Sequence, residues 1–130
     1  MAEALLVIAV QKTHQEVLVS SAGLNALVGH PADPISQKLM HAKGIDISQH
    51  RARQIVPEIV FGSDLILSMT LEQQKKLEQQ YPGVSGRVHR IGKWGEYDVP
   101  DPFQRPQSAF EQALALIEQG VDEWYRKLWA

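Results

Sequence analysis

Cysteine is absent from this chain of 130 residues, which excludes disulfides, thiolate metal sites and any cysteine nucleophile within it. No apolar run approaches the ~18 residues that a membrane-spanning helix needs. The N-terminus carries no basic stretch ahead of its short apolar run, so no signal peptide is expected. Charge of neither sign dominates: 13 Lys and Arg stand against 15 Asp and Glu, a net charge of −2. Nucleic acid and membrane insertion are therefore not expected. The glycine-rich patterns G-x-G-x-x-G and G-x-x-x-x-G-K are missing, which removes the common nucleotide-binding readings. The histidines His14, His30, His41, His50 and His89 show no i, i+4 pairing or carboxylate at ligand spacing. No metal site or cofactor is expected from them. What is present, 44% hydrophobic and 22% charged residues, suits an ordinary globular protein. A single domain over residues 1–130, located in the cytoplasm, is the expectation.

Strand and helix patterns alternate along the chain. "MAEALLVIAVQK" starts like a helix, but Leu5 to Val10 is apolar throughout and leaves helix and buried strand both open. "EVLVSSAG" predicts a short strand over Val17–Ser20 ending at Gly23, and "LNALVGHPA" a loop. Asp33 followed by Pro34 predicts an N-cap and first helical residue. That helix would bury Ile35, Leu39 and Ala42 and stop at Gly44. A short helix is expected around Pro57 to Phe61, then a buried strand in "DLILSM". Thr70 with Gln73 forms a capping box for "LEQQKKLEQQY", and "RVHRIG" reads as another strand. Phe110, Leu114, Ile117, Val121, Trp124 and Leu128 recur at helical spacing, a core-facing stripe interrupted by Gly120. The alternation argues for α/β architecture with a mostly parallel sheet. Ligands in such sheets bind beyond the carboxyl ends of the strands.

The oddest stretch is "DVPDPF", Asp98 to Phe103. Pro100 and Pro102 fix their own φ angles, and each pushes its predecessor out of helical geometry. Asp101 thus sits at the tip of a stiff, extended arm beside an aromatic ring. A turn with Asp as a local hydrogen-bonding residue is the plainer alternative. "HRARQ", His50 to Gln54, gathers up to three cations, and its plain reading is a solvated connection. Trp124 belongs to the core by its helical phase, and Trp129 to terminal packing. Trp94, in a glycine-flanked loop near Asp101, suggests contact with a ligand or partner.

These stretches converge. "MAEALL", "VSSAGLNALVGHPADP", "GIDISQHRARQI", "DLILSM", "GRVHRIGKWGEYDVPDPF" and "FEQALALIEQGVDEWYRKL" together resemble the low-molecular-weight protein tyrosine phosphatases. The bacterial branch associated with tyrosine kinases of capsule and exopolysaccharide export is the most similar. The resemblance implies a three-layer α/β/α fold around a small parallel sheet, four-stranded in the family. It implies that Asp101 protonates the tyrosine leaving oxygen and then serves as base for the attacking water. Phe103 would flank the phenyl ring, and Leu27 would lie in the opposite pocket wall, with Trp94 a further candidate contact. The implied partner is a phosphotyrosine protein, with a tyrosine kinase of polysaccharide export as one candidate.

One departure is plain. In the family, "MAEALL" follows a strand and a loop of the pattern Cys, five residues, Arg, Ser or Thr, then Pro. That loop supplies the thiolate, the N–H cradle and the arginine, and residues 1–130 contain none of it. Arg51 and Arg53 cannot substitute, since nothing arranges donors around three equatorial oxygens. Losing a covalent nucleophile costs on the order of 10⁶ in rate, so the chain as written is expected to be inactive. The expectation is a phosphatase whose reading frame starts further upstream. The alternative is a non-catalytic relative that binds a partner through its remaining loops. Arsenate reduction on the same fold needs redox cysteines.

Overall fold

The computed structural model describes residues 1–129. Helix α1, Ala2–Val10, settles the open choice at Leu5–Val10. Met1, Ala2, Leu5, Leu6 and Ala9 pack against the long helix α5, Gln107–Leu128, which gives this run a partner as a helix. Helix α2, Pro34–His41, begins as expected, with Asp33 Oδ1 accepting from the Ile35 N–H at 2.8 Å. It ends through Gly44, whose φ of 76° needs glycine's freedom. Its buried face differs from the expected one. Ser36 and Met40 are buried, Ile35 and Leu39 only partly, and Ala42 is exposed. Met40 points at Ile47 and at Leu114 of α5, so the contact with α5 sets the helix rotation and the strongest apolar spacing does not. Helix α3 spans Pro57–Phe61.

Strands β1, Ile66–Ser68, and β2, Val88–Arg90, pair in parallel, with Ile66 opposite Val88 and Ser68 opposite Arg90. Successive residues of β1 face opposite layers. Leu65, Leu67 and Met69 pack towards α1 and α5, while Ile66 joins Val60 of α3 and Leu77 of helix α4, Leu71–Gln80. The result is helices on both faces of a small parallel sheet. The capping box forms with a shift: Thr70 Oγ1 accepts from the Gln73 N–H at 3.2 Å, but Gln73 Oε1 reaches back to the Met69 N–H at 3.0 Å.

The expected strand at Val17–Ser20 is not formed. Among the described residues no backbone group from Glu16 to Ala22 pairs with another backbone group, and Leu18 is 91% exposed. A strand exists only through a neighbour's N–H and C=O groups, and the β propensity of "EVLVS" cannot supply one. Pairing starts at Gly23, which makes a parallel bridge to Gln54. No helix of the described residues is long and apolar enough to cross a membrane.

Candidate active site

A cavity of about 380 Å³ opens beyond the carboxyl end of β1, where the N-termini of α1 and α4 meet the Asp101 loop. Its floor is apolar, with Met69, Val99, Ala113 and Ile117, and its rim is polar, with Glu3, His50, Thr70, Gln73 and Asp101. His50 Nδ1 lies 3.2 Å from Glu3 Oε2. That pair has no signature in the sequence, since only the fold brings α1 beside the 45–50 segment. Among the described residues no cluster of His, Asp and Glu is arranged to hold a metal ion.

The Asp101 loop is anchored at its start. Val99 is buried, and its N–H donates to the Met69 carbonyl at 2.9 Å, prolonging the edge of β1. Asp98 Oδ1 accepts from Arg90 Nη1 and from the Leu71 N–H, each at 3.0 Å. One carboxylate thereby ties the end of β2, the N-terminus of α4 and the loop together. Arg90 and the Leu71 N–H hold the Asp98 carboxyl below the usual carboxylate value of 3.8. A lowered folded-state pKa gives stability that is complete above that value and lost as pH falls below it. Asp98→Asn should therefore abolish this acid-dependent component, worth about 1 kcal/mol or less because the pair is partly exposed. Amide hydrogen exchange at Val99 should speed up. Unchanged protection at Val99 would rule out this tether.

Beyond the anchor the chain turns outward. Asp101 is exposed between Pro100 and Pro102, and its Oδ1 accepts from the Phe103 N–H at 3.0 Å. Asp101 thus makes the local turn of the plainer reading, and it also lines the cavity. Gln104 then adopts a φ of 61° and the Arg105 N–H closes on the Pro102 carbonyl at 2.9 Å. Phe103, next in the chain to the cavity-lining Pro102, is left half exposed.

Leu27 is also exposed and does not line the cavity, although Ser21 and Ala22 of the same segment do. "HRARQ" is what holds that segment. The Gly23 N–H donates to the Arg53 carbonyl and the Gly29 N–H to the Ala52 carbonyl, at 2.9 and 2.8 Å. Gln54 Nε2 donates to the Leu24 carbonyl at 2.6 Å, and its Oε1 accepts from the Ala26 N–H at 2.9 Å. Arg51 and Arg53 donate to main-chain carbonyls of Ser48, His50 and Ser21, so they are braces for loops. Trp94 lies apart from this assembly, against Trp124 of α5 at 5.3 Å between ring centres, and does not line the cavity with Asp101.

The profile of the low molecular weight phosphotyrosine protein phosphatases matches residues 1–130. The chain belongs to that family. The "Probable low molecular weight protein-tyrosine-phosphatase EpsP" of Ralstonia nicotianae is 41% identical over 128 residues, 98% of this chain and 86% of that protein. The low molecular weight protein-tyrosine-phosphatase Wzb of Salmonella typhimurium is 35% identical over 91% of this chain and 80% of its own length. Among solved structures, Vibrio vulnificus Wzb in complex with benzylphosphonate superposes with a TM-score of 0.89 at 30% identity, over 98% of this chain and 88% of that one. In this low-molecular-weight phosphatase chain, Ser21 and Ala22, which lead into the Leu27 segment, line the same cavity as Asp101.

Proposed function

We propose that this chain takes part in phosphotyrosine hydrolysis in the cytoplasm, with Asp101 as the proton donor, and that residues 1–130 alone do not complete the reaction. The observation that carries the reading is the Asp101 carboxylate, exposed at the mouth of an apolar-floored cavity on a loop anchored by Asp98 and Val99. In the reaction that the family implies, a thiolate attacks phosphorus as the bond to the tyrosine oxygen breaks. Asp101 delivers its proton to that oxygen, which needs a reach of about 3 Å. The resulting carboxylate then takes a proton from the water that attacks the phosphoenzyme and releases the thiolate. Phe103, beside the cavity-lining Pro102, would flank the phenyl ring, while Leu27, exposed outside the cavity, would meet the substrate beyond it. The substrate would be a tyrosine-phosphorylated protein, with the tyrosine kinases of polysaccharide export as the candidate class.

The absence of cysteine from residues 1–130 favours a second reading, a protein that binds phosphotyrosyl segments without turnover. One comparison separates the two. The 130-residue chain should hydrolyse no para-nitrophenyl phosphate. The same chain, fused ahead of Met1 to a strand and Cys-x5-Arg-Ser/Thr-Pro loop from a relative, should hydrolyse it and be stopped by thiol alkylation. Turnover by residues 1–130 alone would overturn the assignment of the nucleophile. A folded but inert fusion would favour binding without catalysis.

A further inference from the structure

Trp94 stands on the short 3-10 turn Lys93–Gly95 and is 39% exposed. Its indole packs edge-on against Trp124, whose own N–H is committed to the Ile91 carbonyl at 3.0 Å. Two ammonium groups sit over the Trp94 ring, Lys93 Nζ at 4.7 Å and Lys127 Nζ at 4.9 Å from its centre. Among the described residues neither lysine has a carboxylate within salt-bridge distance. The acids nearest in sequence are otherwise engaged or idle. Asp122 pairs with Arg126 at 3.1 Å, Glu123 Oε1 is buried, and Glu96 is exposed and makes no salt bridge among the described residues. Lys127 is accounted for in part by the C-terminal end of α5, which favours cations. Lys93 has no such role. Its charge is felt inward: burial first, and Lys93 second, lower the pKa of His89.

We infer that Trp94, Lys93 and Lys127 form a docking surface for an acidic, extended polypeptide segment of a partner protein. Two like charges held over one ring repel each other, and a counter-anion relieves that repulsion while leaving both cation–π contacts in place. In an extended chain, residues i and i+2 project from one face about 7 Å apart. Acidic side chains that project in this way meet the ammonium groups while the backbone that carries them passes the exposed indole. The patch lies roughly 15 Å along α5 from Ile117 of the cavity, at ~1.5 Å per residue. It is independent of the phosphatase reading, because recognition here requires no phosphotyrosine.

The test uses the 130-residue chain and a fluorescein-labelled peptide of alternating Glu and Thr, followed by anisotropy at low salt. Binding is expected, with the Trp94 indole N–H resonance moving during the titration. Lys93→Gln with Lys127→Gln should weaken binding about tenfold. Salt near 1 M, where the screening length falls to about 3 Å, should abolish it. Both lysines are exposed, and the single Lys93→Gln variant carries the same comparison if the double variant fails to fold. Equal binding of the variant, equal binding of a Gln–Thr peptide, no binding at all, or preference for phosphatidylserine vesicles would each overturn the inference.

Discussion

Asp101→Asn should lower kcat on an aryl phosphate with a poor leaving group by about 10² or more, in the fusion that carries a Cys-x5-Arg loop. That factor corresponds to roughly 2.7 kcal/mol of barrier. Asparagine keeps an oxygen at the place of Oδ1, so the bond from the Phe103 N–H and the turn survive. What is lost is a proton that can be passed to a departing oxygen. The loss should shrink as the leaving group becomes more acidic, because a stabilised phenolate needs no proton. Phe103→Ala should instead act mainly on KM, since Phe103 is half exposed beside the cavity-lining Pro102 and is assigned to holding the ring. Rates measured across a series of substituted aryl phosphates check this. A kcat for Asp101→Asn that stays at the parent value on the poorest leaving group would remove Asp101 from the mechanism.

Trp124→Ala should destabilise the chain by about 3–5 kcal/mol, the range for deleting a buried large aromatic. Against a typical total of roughly 5–15 kcal/mol, much of the population would unfold. Trp124 is 3% exposed, contacts His89 and Trp94, and its N–H is given to the Ile91 carbonyl. The same carbonyl lies against Gly120, where an added Cβ would come within 2.9 Å of it. Helix α5 therefore approaches the end of β2 through a glycine and is locked there by the indole N–H. Trp124→Phe should cost less, retaining most of the apolar contact but stranding the Ile91 carbonyl at about 1–3 kcal/mol. Urea unfolding of the three proteins, with equal slopes, gives the comparison. A loss below about 1 kcal/mol for Trp124→Ala would show that α5 is held to the sheet by other contacts.

By itself the sequence determined the elements whose causes are local. Asp33–Pro34 starts α2, Thr70 and Gln73 cap α4, and paired prolines keep residues 99–102 out of a helix. The stripe on α5 is long enough that its period admits no other reading. Site residues were legible only where the chain carries an uncommon local pattern, as in "DVPDPF". Tertiary structure decided the rest, because each remaining question depended on a neighbour. Leu5–Val10 is a helix because α5 offers it a face, and Val17–Ser20 is no strand because no backbone lies beside it to bond. Gly120 looked like a flaw in the α5 stripe and is the point of closest approach to Ile91. Arg51, Arg53 and Gln54 looked like solvated polar residues; Arg53 and Gln54 brace the segment from Ser21 to Ala26, and Arg51 braces its own turn. Trp94, expected beside Asp101, instead packs against Trp124 near the other end of α5. Short sequence separation between Trp94 and Asp101 did not bring their side chains together, because buried Val99 and the Asp98 tether turn the chain between them.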